Sequence, residues 1–214
     1  MELKDLEIMV NLGVNGSGKT TLAGEFLKDG GEMISFGQPL RDVIGALVKE
    51  DLDDKEKYEK LKRNLKATIT IAPNDQDGDT YLETLTLRNL LERAGDALKL
   101  AIDPKILLKC AKKSLKNLLK KGVTRLASDD VRIPMEFDFY YNLKKKGYNV
   151  KFFWCNYVAS HKYDPNSTHL TEKQAQFILR NYKLEHRQEI PDEILADIQK
   201  RRKEILKEIK NASK

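Results

Sequence analysis

Ile8-Met9-Val10-Asn11-Leu12-Gly13-Val14-Asn15-Gly16-Ser17-Gly18-Lys19-Thr20-Thr21-Leu22-Ala23-Gly24-Glu25-Phe26-Leu27 runs from an apolar stretch through a glycine-rich turn into a segment with apolar residues at helical spacing. Strand, loop and helix in that order are the context in which Gly13-x-x-x-x-Gly18-Lys19-Thr20 reads as a P-loop, and every specified position of the pattern is filled. Such a loop wraps phosphate groups with its backbone N–H groups turned inward, which demands close approach and positive φ at its glycines. The helix that follows offers its positive N-terminal end. Gly13, Asn15, Gly16, Ser17, Gly18, Lys19, Thr20 and Thr21 are therefore the expected ATP-binding residues. Lys19 supplies a charge for the β- and γ-phosphates, and the Thr20 hydroxyl is a ligand for Mg²⁺.

Outward from this loop the pattern alternates. Gly30-Gly31 ends the first helix, Met33 to Phe36 reads as a second short strand, and Pro39 opens a helix with Leu40, Val43, Ile44, Leu47 and Val48 on its apolar face. Residues 51–66 are charged and helix-prone, Thr68 to Ile71 alternates like an edge strand, and a polar turn follows at Pro73 to Gly78. Leu87, Leu90, Leu91, Ala94 and Leu98 keep helical spacing, and a lysine-studded helix is expected from about Asp103 to Lys121. Val123 to Ser128 and Val150 to Cys155 read as strands separated by a helix from Pro134 to about Lys146. The tail from Pro191 to Lys210 carries Ile194, Ile198, Ile205 and Ile209 on one stripe, as a docked amphipathic helix would.

These features predict an α/β protein of the P-loop NTPase class. It is expected to have three layers around a mostly parallel sheet, with a helical insertion at about 40–120, a lid-like segment at 156–185 and a long C-terminal helix at 190–214. A chain of 214 residues is the size of one domain, here 1–214. No apolar run approaches the roughly 20 residues that span a bilayer, and the N-terminal stretch lacks the basic start and apolar core of a signal peptide. A cytoplasmic protein without a membrane partner is expected, and its oligomeric state is open. Cys110 and Cys155 have no metal-binding spacing and read as reduced packing residues.

The acceptor of the γ-phosphate should lie at the carboxyl ends of the strands. Ser35-Phe36-Gly37-Gln38-Pro39-Leu40-Arg41 offers backbone amides and a guanidinium, and Ser128-Asp129-Asp130-Val131-Arg132-Ile133-Pro134-Met135-Glu136 offers carboxylates for Mg²⁺ and an arginine for phosphate. The residues from Asn156 onward form a third such place. Each has a plainer reading: Arg41 as a solvated helix residue, Asp129 as a helix cap, Asp130 with Arg132 as a local ion pair. Taken with the P-loop they are the equipment of phosphoryl transfer, which needs cations about the moving group and little covalent chemistry from the protein.

This ordered set resembles the bacteriophage deoxynucleoside monophosphate kinases, a branch of the P-loop nucleoside monophosphate kinases. The likeness rests on the P-loop, Ile34 to Arg41, Leu85 to Gly95 and Ser128 to Glu136, with an echo at Asn166 to Glu172, and it covers roughly residues 8–172. It implies transfer of the ATP γ-phosphate to a deoxynucleoside or ribonucleoside monophosphate. By the same resemblance the monophosphate would be held by Ser35, Phe36, Gly37, Gln38, Pro39, Arg41, Arg88, Glu92, Arg132 and Glu136. Lys19, Arg132 and Asp130 would be catalytic, with Thr20 and Asp130 serving the metal. Lys162, His169 and Glu172 are the lid candidates that it suggests. Three positions depart from the family pattern: many relatives have Asp at Thr20, Gln at Glu92, and Arg near Asn156. The first keeps Mg²⁺ ligation and removes a base, the second bears on base preference, and the third leaves Lys162 or His161 for the lid's cation. The family's closing strand is not legible after Glu172.

Other features point elsewhere. His161, His169 and His186 lack metal-ligand spacing, and Asp75-x-Asp77-Gly78 is a turn and not a calcium loop. The net charge of +6 and the lysines at 105, 109, 112, 113, 116, 120 and 121 suit a nucleic-acid partner or a solvated helix face. A nucleic-acid-binding P-loop ATPase or polynucleotide kinase is thus the alternative reading, and a non-catalytic nucleotide sensor a third.

Overall fold

The apolar run that precedes the glycine loop forms β1 (Glu7–Leu12), the middle strand of a five-stranded sheet. In the computed structural model, residues 5–48, 54, 56, 58, 66–70, 82–157 and 170–211 are described, with side chains omitted at 47, 48, 66–70, 82–85, 88, 170–172, 174, 202, 203 and 205–211. Contacts divide the chain into two compact units, Met1–Phe36 with Cys110–Lys214, and Gly37–Lys109.

In the first unit β1 is followed by α1 (Lys19–Phe26), β2 (Glu32–Met33) and, after the second unit, α4 (Ile106–Lys120) and β5 (Arg125–Ser128). Then come α5 (Pro134–Lys145), β6 (Asn149–Trp154), α6 (Leu170–Asn181), β7 (Gln188–Glu189) and α7 (Asp192–Asn211). The strand order is β2-β5-β1-β6-β7. β1 pairs in parallel with β5 and β6, and β2 with β5; β7 alone runs antiparallel, against β6.

Alternation along the strands separates two apolar faces. Met9, Ala127 and Phe153 pack with Leu22, Ala23 and Phe26 of α1 and with Leu27, which caps it. On the opposite face Phe152 meets Phe137 of α5, with ring centroids 5.2 Å apart. The sheet is therefore covered on both sides, which is compatible with a three-layer α/β fold. Ile8, Val10, Leu126, Phe152 and Trp154 are almost fully buried, which matches the unbroken apolar runs of a sheet covered on both sides.

Several expectations are corrected. The second strand spans only Glu32–Met33, although Ile34 N–H still donates to Ala127 O at 2.8 Å. A closing strand does exist: β7 pairs Phe153 with Glu189 and Trp154 with Gln188. Two residues carry too little periodicity for its pattern to stand out. On α7 the buried residues are Leu195 and Ile198, with Ile194 only half-buried; Ile205 and Ile209 lie outside the described side chains.

The second unit holds α2 (Gln38–Val48), an antiparallel hairpin of β3 (Lys66–Thr70) and β4 (Leu82–Thr86), and α3 (Leu87–Ala101). Strand β3 covers most of the Thr68 to Ile71 stretch that reads as an edge strand, and the unit's boundary falls before most of α4. Leu40 and Ile44 of α2 are buried, whereas Val43, expected on the same face, is 55% exposed. Thr86 caps α3 by accepting from Asn89 N–H at 3.2 Å. Most of residues 51–66 and the turn at 73–78 lie outside the described residues. Among those that are described, no helix is long and apolar enough to cross a membrane.

Candidate functional site

The Gly13–Thr20 loop leaves the carboxyl end of β1, where the chain goes first to the β5 side and later to the β6 side of the same strand. That reversal is where an open parallel sheet leaves a crevice for ligands. The loop is drawn tight by Lys19, which is 7% exposed. Its Nζ donates to Gly13 O at 2.8 Å and Val14 O at 2.6 Å and approaches Ser17 Oγ at 3.5 Å. Gly13 has φ +150°, and a Cβ there would lie 2.1 Å from Cys155 O, so only glycine lets β6 and the loop approach this closely. Gly18, at φ +88°, turns the chain into α1 as its N-terminal cap.

Asn11 was not singled out from the sequence. It is fully buried in β1, and its Nδ2 donates to Lys19 O at 2.9 Å, tying the first turn of α1 to the strand. The one signal for it is a lone amide within an otherwise apolar run. Thr20 and Thr21 are exposed on that first turn, and Asn15 and Gly16 are half-buried in the loop.

Beside the loop, β5 ends at Ser128 and leads to Asp129 and Asp130. Asp130 accepts from Ser35 Oγ at 2.5 Å and from Ser128 Oγ at 3.4 Å, so the chain ends beyond β2 and β5 are joined through one carboxylate. The structure thus brings together two residues named from sequence, Ser35 and Asp130. Arg132 is half-buried, and its guanidinium makes no hydrogen bond or ion pair among the described residues. Glu136 accepts from Arg132 N–H at 2.8 Å and Ile133 N–H at 3.2 Å, capping α5. Phe36 is 2% exposed, edge-on to Phe139 and Tyr140, so its side chain is part of the core.

Burial raises the Glu136 carboxyl to about 7; the Asp130 charge adds to the rise, while the amides of Arg132 and Ile133 and the Arg132 charge oppose it. Because the folded value lies above the ordinary 4.5, the stability this group contributes is present below pH 4.5 and is lost as pH rises through about 7. Glu136→Gln keeps an oxygen for the two amides and cannot ionise. Its melting temperature relative to the parent protein is expected to be more favourable at pH 8 than at pH 5, and calorimetry at both values checks this. An equal difference at the two values would show that Glu136 does not titrate in this range.

The remaining residues are distributed as follows. In the second unit the Arg41 guanidinium donates to Gln38 Oε1, at 3.2 Å from Nε, while Gln38 Nε2 donates to Asp42 Oδ1 at 2.8 Å. Gly37 O accepts the Leu40 and Arg41 amides at 3.1 Å, so it and Pro39 form the first turn of α2. Glu92 is half-buried on α3, and the side chain of Arg88 lies outside the described residues. His161, Lys162 and His169 also lie outside them, as does the side chain of Glu172. Lys105, Lys109, Lys112, Lys113, Lys116, Lys120 and Lys121 are all exposed, and Lys109 pairs with Asp103. Cys155 is buried, which lifts its thiol to about 11 and leaves it a protonated packing group; Cys110 is half-buried, and both are free.

Among the described residues no cluster of three or more His, Cys, Asp or Glu side chains is placed to hold a metal ion. Thr20 and Asp130 offer one hydroxyl and one carboxylate, a set that suits Mg²⁺, which keeps several waters and takes its other ligands from phosphate oxygens. Comparison with protein-family models and with curated proteins finds no match to this sequence.

Proposed function

We propose that this protein is a phosphotransferase that passes the γ-phosphate of ATP to a nucleoside monophosphate, by family resemblance a deoxynucleoside monophosphate. The observation that carries the reading is the Gly13–Thr20 loop, cinched by Lys19 at the carboxyl end of the central parallel strand, with Asp130 and Arg132 following the adjacent strand. The loop amides and the start of α1 would hold the β- and γ-phosphates, with Lys19 adding its charge. An oxygen of the acceptor phosphate attacks the γ-phosphorus, the bond to the β–γ bridging oxygen breaks, and ADP leaves with that electron pair. Arg132 would offset charge on the transferring group, and Ser35 and Ser128 orient Asp130. Mg²⁺ bound with the triphosphate would neutralise the charge that develops on the leaving diphosphate.

A phosphoryl-transfer assay with ATP and each common ribo- and deoxyribonucleoside monophosphate tests the proposal. ADP and a nucleoside diphosphate are expected from at least one of them. ATP turnover stimulated by DNA and by no monophosphate would instead favour the nucleic-acid ATPase reading, to which the exposed lysines of α4 belong. Binding without turnover in any mixture would indicate a sensor. Arg88→Ala is expected to raise the KM for the monophosphate about tenfold or more while kcat changes less, since a charge-assisted hydrogen bond contributes about 1.5–3 kcal/mol. An unchanged KM refutes the assignment of Arg88 to that pocket.

A further inference from the structure

Past the end of β6 the chain exposes Tyr157, which is 59% exposed on the surface and tilted against His186 with ring centroids 5.8 Å apart. Both residues border the start of α1. A side-chain carbon built on Gly18 would stand 3.9 Å from Tyr157 Cβ and 3.9 Å from His186 Cε1. The two segments that carry them are stitched together: Asn156 N–H donates to His186 Nδ1 at 3.0 Å, and Asn156 Nδ2 donates to Leu184 O at 3.1 Å. Arg187, held at φ +61°, forms an ion pair with Glu25 of α1 at 3.1 Å, and Ile190 N–H donates to Phe152 O at 2.7 Å. The ring pair is therefore fixed against both the sheet and the helix whose N-terminus the loop shapes.

A large aromatic ring left exposed on so firmly anchored a segment gains nothing from burial. Its flat face is suited to a flat partner. With Nδ1 accepting from Asn156 N–H, the His186 ring keeps Nε2 as its remaining polar atom. For a nucleoside triphosphate whose phosphates were held by the loop and the start of α1, these two rings would be an aromatic surface bordering that site.

We infer that Tyr157 and His186 form the binding platform for the base of the donor nucleoside triphosphate, Tyr157 by stacking and His186 by stacking or hydrogen bonding. This rests on the phosphate-loop reading of Gly13–Thr20. Stacking accepts any base because each has a π-face, so the platform contributes affinity with little discrimination among ATP, GTP and dATP.

Calorimetric titration of the whole chain with magnesium-loaded ATP and magnesium-loaded tripolyphosphate, which has phosphates and no base, tests this. Tyr157→Ala is expected to weaken ATP about five- to thirty-fold, within the range of base–aromatic stacking, and to leave tripolyphosphate unchanged; Tyr157→Trp should restore ATP affinity. His186→Ala should also weaken ATP selectively. If the parent protein binds neither probe, the loop reading fails and the platform with it. If it binds both and Tyr157→Ala leaves ATP within about twofold, or weakens both probes equally, the loop reading stands and the platform is refuted.

Discussion

Lys19→Ala is expected to lower kcat for phosphoryl transfer by about 10³-fold while the protein stays folded. One preorganised donor at the centre of charge development contributes about 10²–10³ in kcat, and a full cationic charge in a nearly buried position belongs at the upper end. The same ammonium also shapes the loop, because it bridges the carbonyls of Gly13 and Val14. Its loss therefore removes the charge and loosens the cradle together, so ATP affinity should fall as well as kcat. Lys112→Ala, the same loss of charge on the exposed face of α4, is the control and should leave turnover unchanged. Single-turnover kinetics at saturating ATP and monophosphate checks the result, with circular dichroism to confirm folding. A Lys19→Ala protein retaining turnover within about tenfold of the parent would sink the catalytic assignment.

Gly13→Ala should destabilise the protein by about 3 kcal/mol or more, at or beyond the upper end of the usual cost of overpacking. The added methyl carbon would meet the Cys155 carbonyl oxygen at 2.1 Å and Ser17 Oγ at 2.6 Å. Neither is a yielding neighbour. Cys155 N–H donates to Leu12 O at 2.8 Å, so moving that carbonyl means parting the ends of β1 and β6, and Ser17 is fully buried. For a chain of this size the melting temperature should drop by about 6–12 °C. Gly24→Ala on α1, where a new carbon meets nothing within 4 Å, should instead be neutral or stabilising by up to about 1 kcal/mol. Thermal unfolding of the two variants side by side checks the contrast, and equal melting temperatures would refute the close approach at Gly13.

Both positions were legible before any coordinates, because the loop pattern specifies residue type at each place where backbone must bend or approach. Less of the surrounding site could be read. Ser35 and Asp130 were both named, but not their hydrogen bond, which spans 95 positions in the chain. The resemblance assigns Glu136 to the monophosphate pocket, and the structure adds that its carboxyl caps α5, a role set by where the chain turns after Arg132. His186 lacks metal-ligand spacing and reads as a surface or hydrogen-bonded histidine, but nothing local identifies its partner, Asn156, 30 positions away. The apolar stripe of α2 departs from expectation at Val43, since periodicity gives the angle between apolar residues and not which neighbour covers them.

The sequence by itself determined the strand, glycine loop and helix at residues 8–27, the alternation that makes the protein α/β, and the glycines the loop requires, because these depend on residues within a few positions of one another. The tertiary structure alone decided the strand order, the two-residue β7 that closes the sheet, the role of buried Asn11 and the meeting of Tyr157 and His186 beside Gly18. Each of these depends on contacts between distant segments, and a pattern confined to one segment carries no record of its partner.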